Sequence, residues 1–286
     1  MNIDDAIKAF PKRQADAHKG DFGHVLMIAG SAGYTGAAYL VSQAAALSGS
    51  GLVTLAVGRS ILPILAVKLT EVMVKPFIET KDWSLSFLAE KEILSFSEKC
   101  NVVAIGPGIS QNIETQSLVR SLVSKFSKPI VLDADGINAC AGHLAIIKQS
   151  KAKLVLTPHH GEMARLMGCD VKDIEQNRKD VALKFANEYN TVLVLKGHQT
   201  IVASPAGDVY INDTGNPGMA TGGVGDVLTG MIASFIGQGI EPFTAAVLGV
   251  YFHGRSGDLA VAEKGPLSLL ATDLLNKLPD ILKTLA

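Results

Sequence analysis

Short apolar runs alternate with longer segments of helical spacing along most of the chain. The runs are rich in Val, Ile and Leu at successive positions, as strands buried on both faces must be. They predict parallel strands at residues 24–30, 52–58, 102–106, 130–134, 154–157 and 192–197. Because parallel strands need crossover connections, the segments between them are expected to be helices.

Apolar residues at helical intervals predict helices at residues 35–48, 113–126, 163–167 and 173–188. Further on, QTIVAS and DVYIN flank Pro205-Ala206-Gly207 and predict a β-hairpin. Helices are then predicted at residues 227–238, 243–261 and 267–285. This order predicts the α/β class, as a three-layer α/β/α sandwich around a mostly parallel sheet. Since no linker, repeat or low-complexity tract interrupts it, we expect a single domain over residues 1–286.

Composition narrows the function classes. A hydrophobic content of 48% with 19% charged residues favours a globular protein over a disordered one. The net charge of −1 and the absence of a Lys/Arg cluster argue against nucleic acid as a partner. No stretch is a continuous apolar run of ~20 residues, so no membrane span is expected. The N-terminus, with two acids in MNIDD and no apolar region, does not resemble a secretory signal.

The cysteines are far apart and lack C-x-x-C spacing. Such cysteines are expected to be buried, reduced thiols without a metal, in a cytoplasmic protein. The three positions are Cys100, Cys140 and Cys169.

Glycines and polar residues follow the ends of five predicted strands. They lie at residues 30–36, 106–108, 133–136, 157–162 and 196–197. Ligands in open α/β sheets bind outside the carboxyl ends of the strands. The sequence therefore predicts one cleft at this edge of the sheet.

The most informative stretch is TGNPGMATGGVGDVLTG, residues 214–230. A glycine-rich turn that opens a helix exposes backbone N–H groups beside the positive end of the helix dipole. Such a turn is suited to phosphate or another anion. Asp226 stands at the junction, where its carboxylate would take a proton from a hydroxyl group. The alternative is that Asp226 only caps the helix, since Asp is a favoured N-cap residue.

Other candidate residues carry weaker patterns. Gly30, Gly33 and Gly36 have G-x-x-G-x-x-G spacing, which is neither the dinucleotide fingerprint nor the phosphate loop of P-loop enzymes. Asp133 and Asp135 occupy alternate positions at a strand end, where one of them holds Mg²⁺ or a ribose, or both serve only turn and cap chemistry.

A histidine pair and a lysine also invite interpretation. His159, His160 and Glu162 lack a third metal ligand at suitable spacing, and Glu162 is expected to begin a helix. Lys196 ends an apolar strand, either as a solvated side chain or as a phosphate contact.

Six motifs, in this order, resemble the NAD(P)H-hydrate dehydratase family, a ribokinase-like family that repairs hydrated nicotinamide cofactors. They are AGSAGYTGAA, IGPG, LDADGINA, LTPHHGE, LKGHQT and TGNPGMATGGVGDVLTG. The resemblance runs from His18-Lys19-Gly20 to the C-terminal helix, nearly the whole chain. It implies a ribokinase-like α/β/α sandwich, which agrees with the pattern of strands and helices.

The resemblance also implies roles for single residues. Positions matching the contacts with the hydrated cofactor are Ala37, Gly108, His159 and Asp226. Positions matching the contacts with the adenine nucleotide are Lys196, Gly197, His198, Gln199, Thr200 and Gly225. Asp226 would be the catalytic base. An anion hole for the transferred phosphoryl group would be formed by the amides of Gly222, Gly223, Val224 and Gly225. In His159-x-x-Glu162, Glu162 would contact Mg²⁺ through water.

The implied reaction uses ADP, or ATP in eukaryotic members, to phosphorylate the C6 hydroxyl of the hydrated ring. Elimination of phosphate then restores NADH or NADPH and leaves AMP. Mg²⁺ would neutralise the nucleotide phosphates. The family further implies a cytoplasmic homotetramer, and the lack of an epimerase domain implies action on the S epimer alone.

The sequence departs from the family pattern at two positions. His160 stands where many members have Pro, and Val224 where Thr or Ser is common. Two other functions remain as alternatives: a hydroxymethyl kinase of the same superfamily, and a nucleotide-binding sensor without turnover. The intact Asp226 argues against the sensor.

Overall fold

A nine-stranded sheet organises residues 2–285, the part of the chain that this computed structural model describes. Its strand order is β3-β2-β1-β4-β5-β6-β7-β8-β9. The strands are β1 (His24–Ile28), β2 (Leu52–Gly58), β3 (Met73–Phe77), β4 (Val102–Ile105), β5 (Ile130–Leu132), β6 (Leu154–Leu156), β7 (Val192–Leu195), β8 (Ile201–Ala203) and β9 (Val209–Ile211). Pairing is parallel from β3 to β7, and β8 and β9 add antiparallel strands at one edge.

Helices cover both faces of the sheet. The helices are α1 (Ile3–Ile7), α2 (Thr35–Leu47), α3 (Leu62–Lys68), α4 (Glu90–Ser97), α5 (Ile113–Lys125), α6 (Ala134–Cys140), α7 (Ala145–Gln149), α8 (His160–Met167), α9 (Val171–Gln176), α10 (Arg178–Glu188), α11 (Val224–Gly237), α12 (Pro242–Lys264) and α13 (Ala271–Leu282). Successive side chains of a strand point to opposite faces. Accordingly, Val25 and Met27 of β1 join the core under α2, α11, α12 and α13, whereas Leu26 and Ile28 join the core under α4, α5, α8 and α10. The predicted α/β/α sandwich is confirmed.

The predicted strands and the hairpin are all present, with ends that differ by a residue or two. The predicted helix at residues 173–188 was wrong as one element, because Asn177 leaves helical geometry (φ −129°, ψ 32°) and separates α9 from α10. Strand β3 was not predicted. Lys75 and Pro76 break its apolar pattern, and Pro is tolerated there because β3 pairs only with β2 at the sheet edge.

The N-terminus of α11 is positioned by close packing against α2. A Cβ on Gly230 would lie 2.2 Å from the carbonyl oxygen of Val41, so the two backbones approach more closely than any side chain would allow. This contact fixes where the glycine-rich turn before α11 meets the carboxyl ends of the strands.

The structure bears on the expectations about membrane spans and about the cysteines. Throughout residues 2–285, every helix is too short or too polar to cross a membrane. Cys100 and Cys140 are buried free thiols, as predicted, but Cys169 is exposed. Cys169 lies just after the left-handed Gly168 that ends α8, in a surface turn.

Candidate active site

Four consecutive backbone amides are free at the N-terminus of α11. Among the described residues, the N–H groups of Gly222, Gly223, Val224 and Gly225 donate no hydrogen bond, whereas Asp226 N–H donates to the carbonyl of Gly223 at 3.1 Å. Gly223 is the N-cap residue and adopts the left-handed region (φ 88°), which favours glycine. Free amides at a helix N-terminus bind anions.

Asp226 is the third residue of α11 and not its cap. The N-cap position belongs to Gly223, so the interpretation of Asp226 as a cap is wrong. Within residues 2–285 the Asp226 side chain makes no hydrogen bond, and it is only partly exposed. The pKa of this carboxyl is raised to about 7, mainly by burial; Asp133 and Glu162 add to the rise and Lys196 opposes it. The result is a carboxylate that holds a proton more strongly than an ordinary Asp.

Lys196 brings a positive charge to the same place. Its ammonium donates to Asp133 Oδ1 at 2.7 Å and lies 3.8 Å from Glu162 Oε2. It also lies 3.2 Å from the point that a Cβ on Gly225 would occupy. Burial works to lower the pKa of Lys196, but Asp133 and Glu162 raise it above its usual value. The interpretation of Lys196 as a solvated strand end is therefore wrong, because its ammonium is partly buried, is paired with Asp133 and lies beside Gly225 at the start of α11.

Asp133 is a structural anchor for this lysine. Its Oδ1 accepts from Thr157 Oγ1 at 2.8 Å as well as from Lys196, and its Oδ2 accepts from Thr229 Oγ1 at 2.8 Å. Both carboxylate oxygens of a side chain that is 1% exposed are thus occupied. Asp133 joins the ends of β5, β6 and β7 to α11, and it is not available to a metal or a ribose.

His159 and Glu162 form a reciprocal cap at the start of α8. His159 Nδ1 accepts from the N–H of Gly161 at 3.0 Å, and Glu162 Oε2 accepts from the N–H of His159 at 2.8 Å. Burial and the nearby Lys196 lower the pKa of His159, which favours the neutral ring. Since Nδ1 accepts from backbone amides, the proton of the neutral ring belongs on Nε2. Burial raises the pKa of Glu162 against the effect of Lys196.

Two predicted cofactor contacts, Ala37 and Gly108, adjoin one another. A Cβ on Gly108, which has φ +61°, would lie 3.0 Å from the Cβ of Ala37 and 2.7 Å from that of Tyr34. Ser31 Oγ donates to the carbonyl of Gly108 at 2.8 Å and fixes this loop. Loop 106–108 and the start of α2 therefore share one wall, next to a Tyr34 side chain that is 59% exposed.

Residues 196–200, which the family resemblance assigns to the nucleotide and which we therefore call the nucleotide loop, connect β7 to β8. Only Lys196 points to the free amides; Gly197, His198 and Gln199 are exposed at the rim. Thr200 Oγ1 closes the loop by donating to the carbonyl of Gly197 at 2.9 Å.

Sequence reasoning gave no role to four residues of the site, although two of them lie in stretches that it singled out. Thr157, Thr229, Arg178 and His253 are all in place only because the fold brings distant segments together. His253 on α12 is 8% exposed and donates from Nε2 to the carbonyl of Val224 at 2.9 Å. Burial lowers the pKa of His253 to about 4, so the ring is a neutral donor. A lone histidine inside the apolar pattern of a long helix was the available signal.

In the described part of the chain, the carboxylates of the site do not form a metal centre by themselves. Across residues 2–285, no three His, Cys, Asp or Glu side chains are arranged as a metal cluster. Mg²⁺ in phosphoryl-transfer enzymes is held by one or two carboxylates together with water and the nucleotide phosphates. Glu162, at 3.8 Å from the Lys196 ammonium, fits that mode, whereas Asp133 does not.

A cavity of about 760 Å³ lies elsewhere, among residues that include Lys153, Thr191, Pro205 and Pro242. Thr191 precedes β7 and Lys153 precedes β6, so this cavity is at the opposite edge of the sheet from Asp226. None of the predicted site residues lines it.

Comparisons with known proteins agree with the arrangement. The model of the NAD(P)H-hydrate dehydratase family matches residues 25–280. The chain is similar to the bifunctional NAD(P)H-hydrate repair enzyme Nnr of Moorella thermoacetica, at 47% identity over 96% of this chain and 52% of that protein. The chain thus spans about half the length of that relative.

Two comparisons with Bacillus subtilis cover whole proteins. The chain is 34% identical to its ADP-dependent (S)-NAD(P)H-hydrate dehydratase, over 96% of this chain and 94% of that one. A crystal structure of the B. subtilis ADP/ATP-dependent NAD(P)H-hydrate dehydratase, co-crystallised with ATP and Mg²⁺, matches with a TM-score of 0.85 and 33% identity. It covers 100% of this chain and 98% of that one, which confirms the ribokinase-like fold.

Proposed function

The chain belongs to the NAD(P)H-hydrate dehydratase family, and we propose that it converts hydrated NADH and NADPH back to NADH and NADPH in an ADP-dependent dehydration. One observation carries the proposal: free amides, a partly buried ammonium and a carboxylate of raised pKa meet at the N-terminus of α11. Such a site suits the transfer of a phosphoryl group to a hydroxyl, because it stabilises the developing negative charge and removes a proton.

The hydrated cofactor would lie between Asp226 and the wall formed by Ala37 and Gly108, with His159 beside it. The nucleotide would lie along the nucleotide loop, with its terminal phosphate toward Gly225 and Lys196. Two observations support this orientation of the nucleotide. Lys196, at the start of the loop, lies next to Gly225, and residues 197–199 of the loop are exposed.

In the first step, Asp226 accepts the proton of the C6 hydroxyl while the hydroxyl oxygen attacks the β-phosphorus of ADP. The bond between that phosphorus and the bridging oxygen breaks, and AMP leaves. A carboxyl with a pKa of about 7 is a stronger base than an ordinary Asp, yet it is half ionised at neutral pH. The amides of residues 222–225 and the Lys196 ammonium stabilise the negative charge on the transferred phosphoryl group.

In the second step, the phosphate leaves from C6 with the electron pair of the C–O bond. The lone pair of the ring nitrogen drives this departure, and the adjacent carbon then releases a proton to water, which forms the double bond of the dihydropyridine. ADP and the hydrate thus become AMP, orthophosphate and NAD(P)H. A hydroxyl is a poor leaving group and phosphate a good one, which is why the nucleotide is consumed.

We further propose that Glu162 contacts Mg²⁺ through water. Bound Mg²⁺ would neutralise the phosphates of the nucleotide. Glu162 is held in place for this by its bond from the His159 amide and by Lys196 at 3.8 Å. The choice of ADP over ATP, action on the S epimer and a homotetrameric state belong to the same proposal, supported by the family resemblance.

The test incubates the protein with hydrated NADH, Mg²⁺ and either ADP or ATP, and follows absorbance at 340 nm together with phosphate release. The proposal expects NADH, AMP and orthophosphate in equal amounts with ADP. A stable phosphoester without absorbance would favour the hydroxymethyl kinase, and nucleotide binding without turnover would favour the sensor. Sedimentation velocity measures the oligomeric state.

A further inference from the structure

We infer that Arg178 is a positioning residue for adenine-nucleotide binding, because its guanidinium holds the nucleotide loop in its bound shape. The inference rests on the proposed placement of the nucleotide along residues 196–200. Arg178 lies outside every motif that the sequence singled out, and it begins α10.

The guanidinium grips two consecutive peptide carbonyls of the loop. Nη1 of Arg178 donates to the carbonyl of His198, and Nη2 donates to the carbonyl of Gln199 at 3.0 Å. A planar fork with two parallel donors fixes orientation as well as distance, which a single donor cannot do.

The loop backbone needs such a grip. Gln199 adopts a left-handed conformation with φ +55°, which side chains other than glycine rarely take. Such a conformation persists where the surroundings hold it. Here Arg178 bonds to the carbonyl of Gln199 itself, and Thr200 closes the loop onto Gly197.

The guanidinium also packs directly under the loop. A Cβ on Gly197 would lie 3.2 Å from Arg178 Nη2 and 2.9 Å from His160 Nε2. Arg178 is half-buried, and no carboxylate within residues 2–285 forms an ion pair with it. Its two Nη donors are therefore committed to the loop carbonyls and not to a salt bridge, while its buried Nε has no hydrogen-bond partner among the described residues.

The inference predicts a specific division of effects. Losing the fork frees Gln199 to relax, so the nucleotide must reorder the loop on binding and its affinity falls. The hydrate contacts at Ala37, Gly108 and Asp226 lie on other elements and are unaffected. In Arg178→Met we expect the KM for ADP to rise about tenfold or more, with kcat and the KM for the hydrate nearly unchanged.

A second substitution separates this role from a general structural one. Glycine adopts the left-handed backbone conformation without strain, so Gln199→Gly should not need the Arg178 hydrogen bonds to hold it. If Arg178 acts through Gln199, the double variant Arg178→Met, Gln199→Gly regains at least a few-fold of the lost ADP affinity. Arg178→Lys keeps the charge but only one donor reaches the carbonyls, so it should fall between wild type and Arg178→Met. Lys179→Met, at the exposed neighbouring residue, is the matched control and should bind ADP as wild type does.

The experiment measures the dissociation constant of ADP with Mg²⁺ by calorimetry, and the kinetic constants, for all five proteins. Weaker ADP binding in Arg178→Met with rescue by Gln199→Gly supports the inference. Unchanged ADP affinity in Arg178→Met or Arg178→Lys, or no rescue in the double variant, overturns it while leaving the proposed function intact. Failure of the wild-type protein to bind ADP would overturn the proposed nucleotide site, and the inference with it.

Discussion

The ammonium of Lys196 lies 3.2 Å from the point where a Cβ on Gly225 would stand. Gly225 is the second residue of α11 and has no positive φ, so its backbone accepts alanine. The missing side chain at Gly225 therefore keeps the space between the lysine and the helix N-terminus open. The transferred phosphoryl group would occupy this space in the proposed reaction.

Gly225→Ala should lower turnover strongly while leaving the fold intact. Alanine is the better helix former by up to about 1 kcal/mol, so stability should not fall. Its methyl group would press on Lys196 and fill the space beside the free amides, so we expect kcat to fall on the order of 10²-fold or more, as when an oxyanion donor is lost. Steady-state kinetics and thermal unfolding of the purified variant check both parts.

Gly222→Ala is the control for this prediction, because a Cβ there meets nothing within 4 Å. It should reduce turnover less than Gly225→Ala does. Equal turnover in Gly225→Ala and wild type would show that no phosphoryl group needs this space.

The pKa of Asp226 predicts an unusual dependence of stability on pH. Because its folded-state pKa is raised to about 7 from 3.8, the folded protein binds a proton between these values that the unfolded chain has released. Wild type therefore loses stability relative to Asp226→Asn as pH rises from about 4 to 7. The free energy of unfolding should differ by a few kcal/mol at the upper end of this range, since a tenfold change in proton affinity corresponds to about 1.4 kcal/mol. Urea unfolding of both proteins from pH 4 to 8, without nucleotide, measures it; parallel curves would contradict the raised pKa.

His253 predicts the opposite slope. Its folded-state pKa is lowered to about 4 from 6.5, so its contribution is present above pH 6.5 and is lost as pH falls toward 4. His253→Gln keeps a donor for the Val224 carbonyl but does not titrate. Compared with this variant, wild type should lose a few kcal/mol of unfolding free energy between pH 6.5 and 4, by the same conversion of proton affinity into stability. The same unfolding series decides this, and a pH-independent difference would show that His253 is not a buried neutral donor.

Much of the fold follows from the sequence because the strands are buried on both faces and carry continuous Val, Ile and Leu. The exception, β3, is an edge strand, where Lys75 and Pro76 are tolerated and the apolar signal disappears. The single-domain organisation over residues 1–286 stays a prediction.

The site was predictable where its chemistry is local. The glycines close to Asp226 indicate an anion site from sequence alone, because the anion would be bound by backbone N–H groups and a glycine-rich turn exposes them. The pair of Asp133 and Lys196 was not predictable, because 63 positions separate them and only the sheet places their strands side by side. Arg178 and His253 were missed because their partners are backbone carbonyls, which leave no signature in side-chain spacing.

The central claim is that Asp226 removes the proton from the hydroxyl of the hydrated cofactor. Since Asp226 is not the cap of α11, its replacement by Asn removes the base without removing a cap. The most direct measurement is the rate of NADH formation at 340 nm by Asp226→Asn with saturating hydrate, ADP and Mg²⁺, on protein whose unfolding temperature at pH 8 is at least that of wild type. We expect kcat to fall on the order of 10²–10⁴-fold, the usual contribution of a general base. A stable Asp226→Asn protein that turns over at the wild-type rate would contradict the claim.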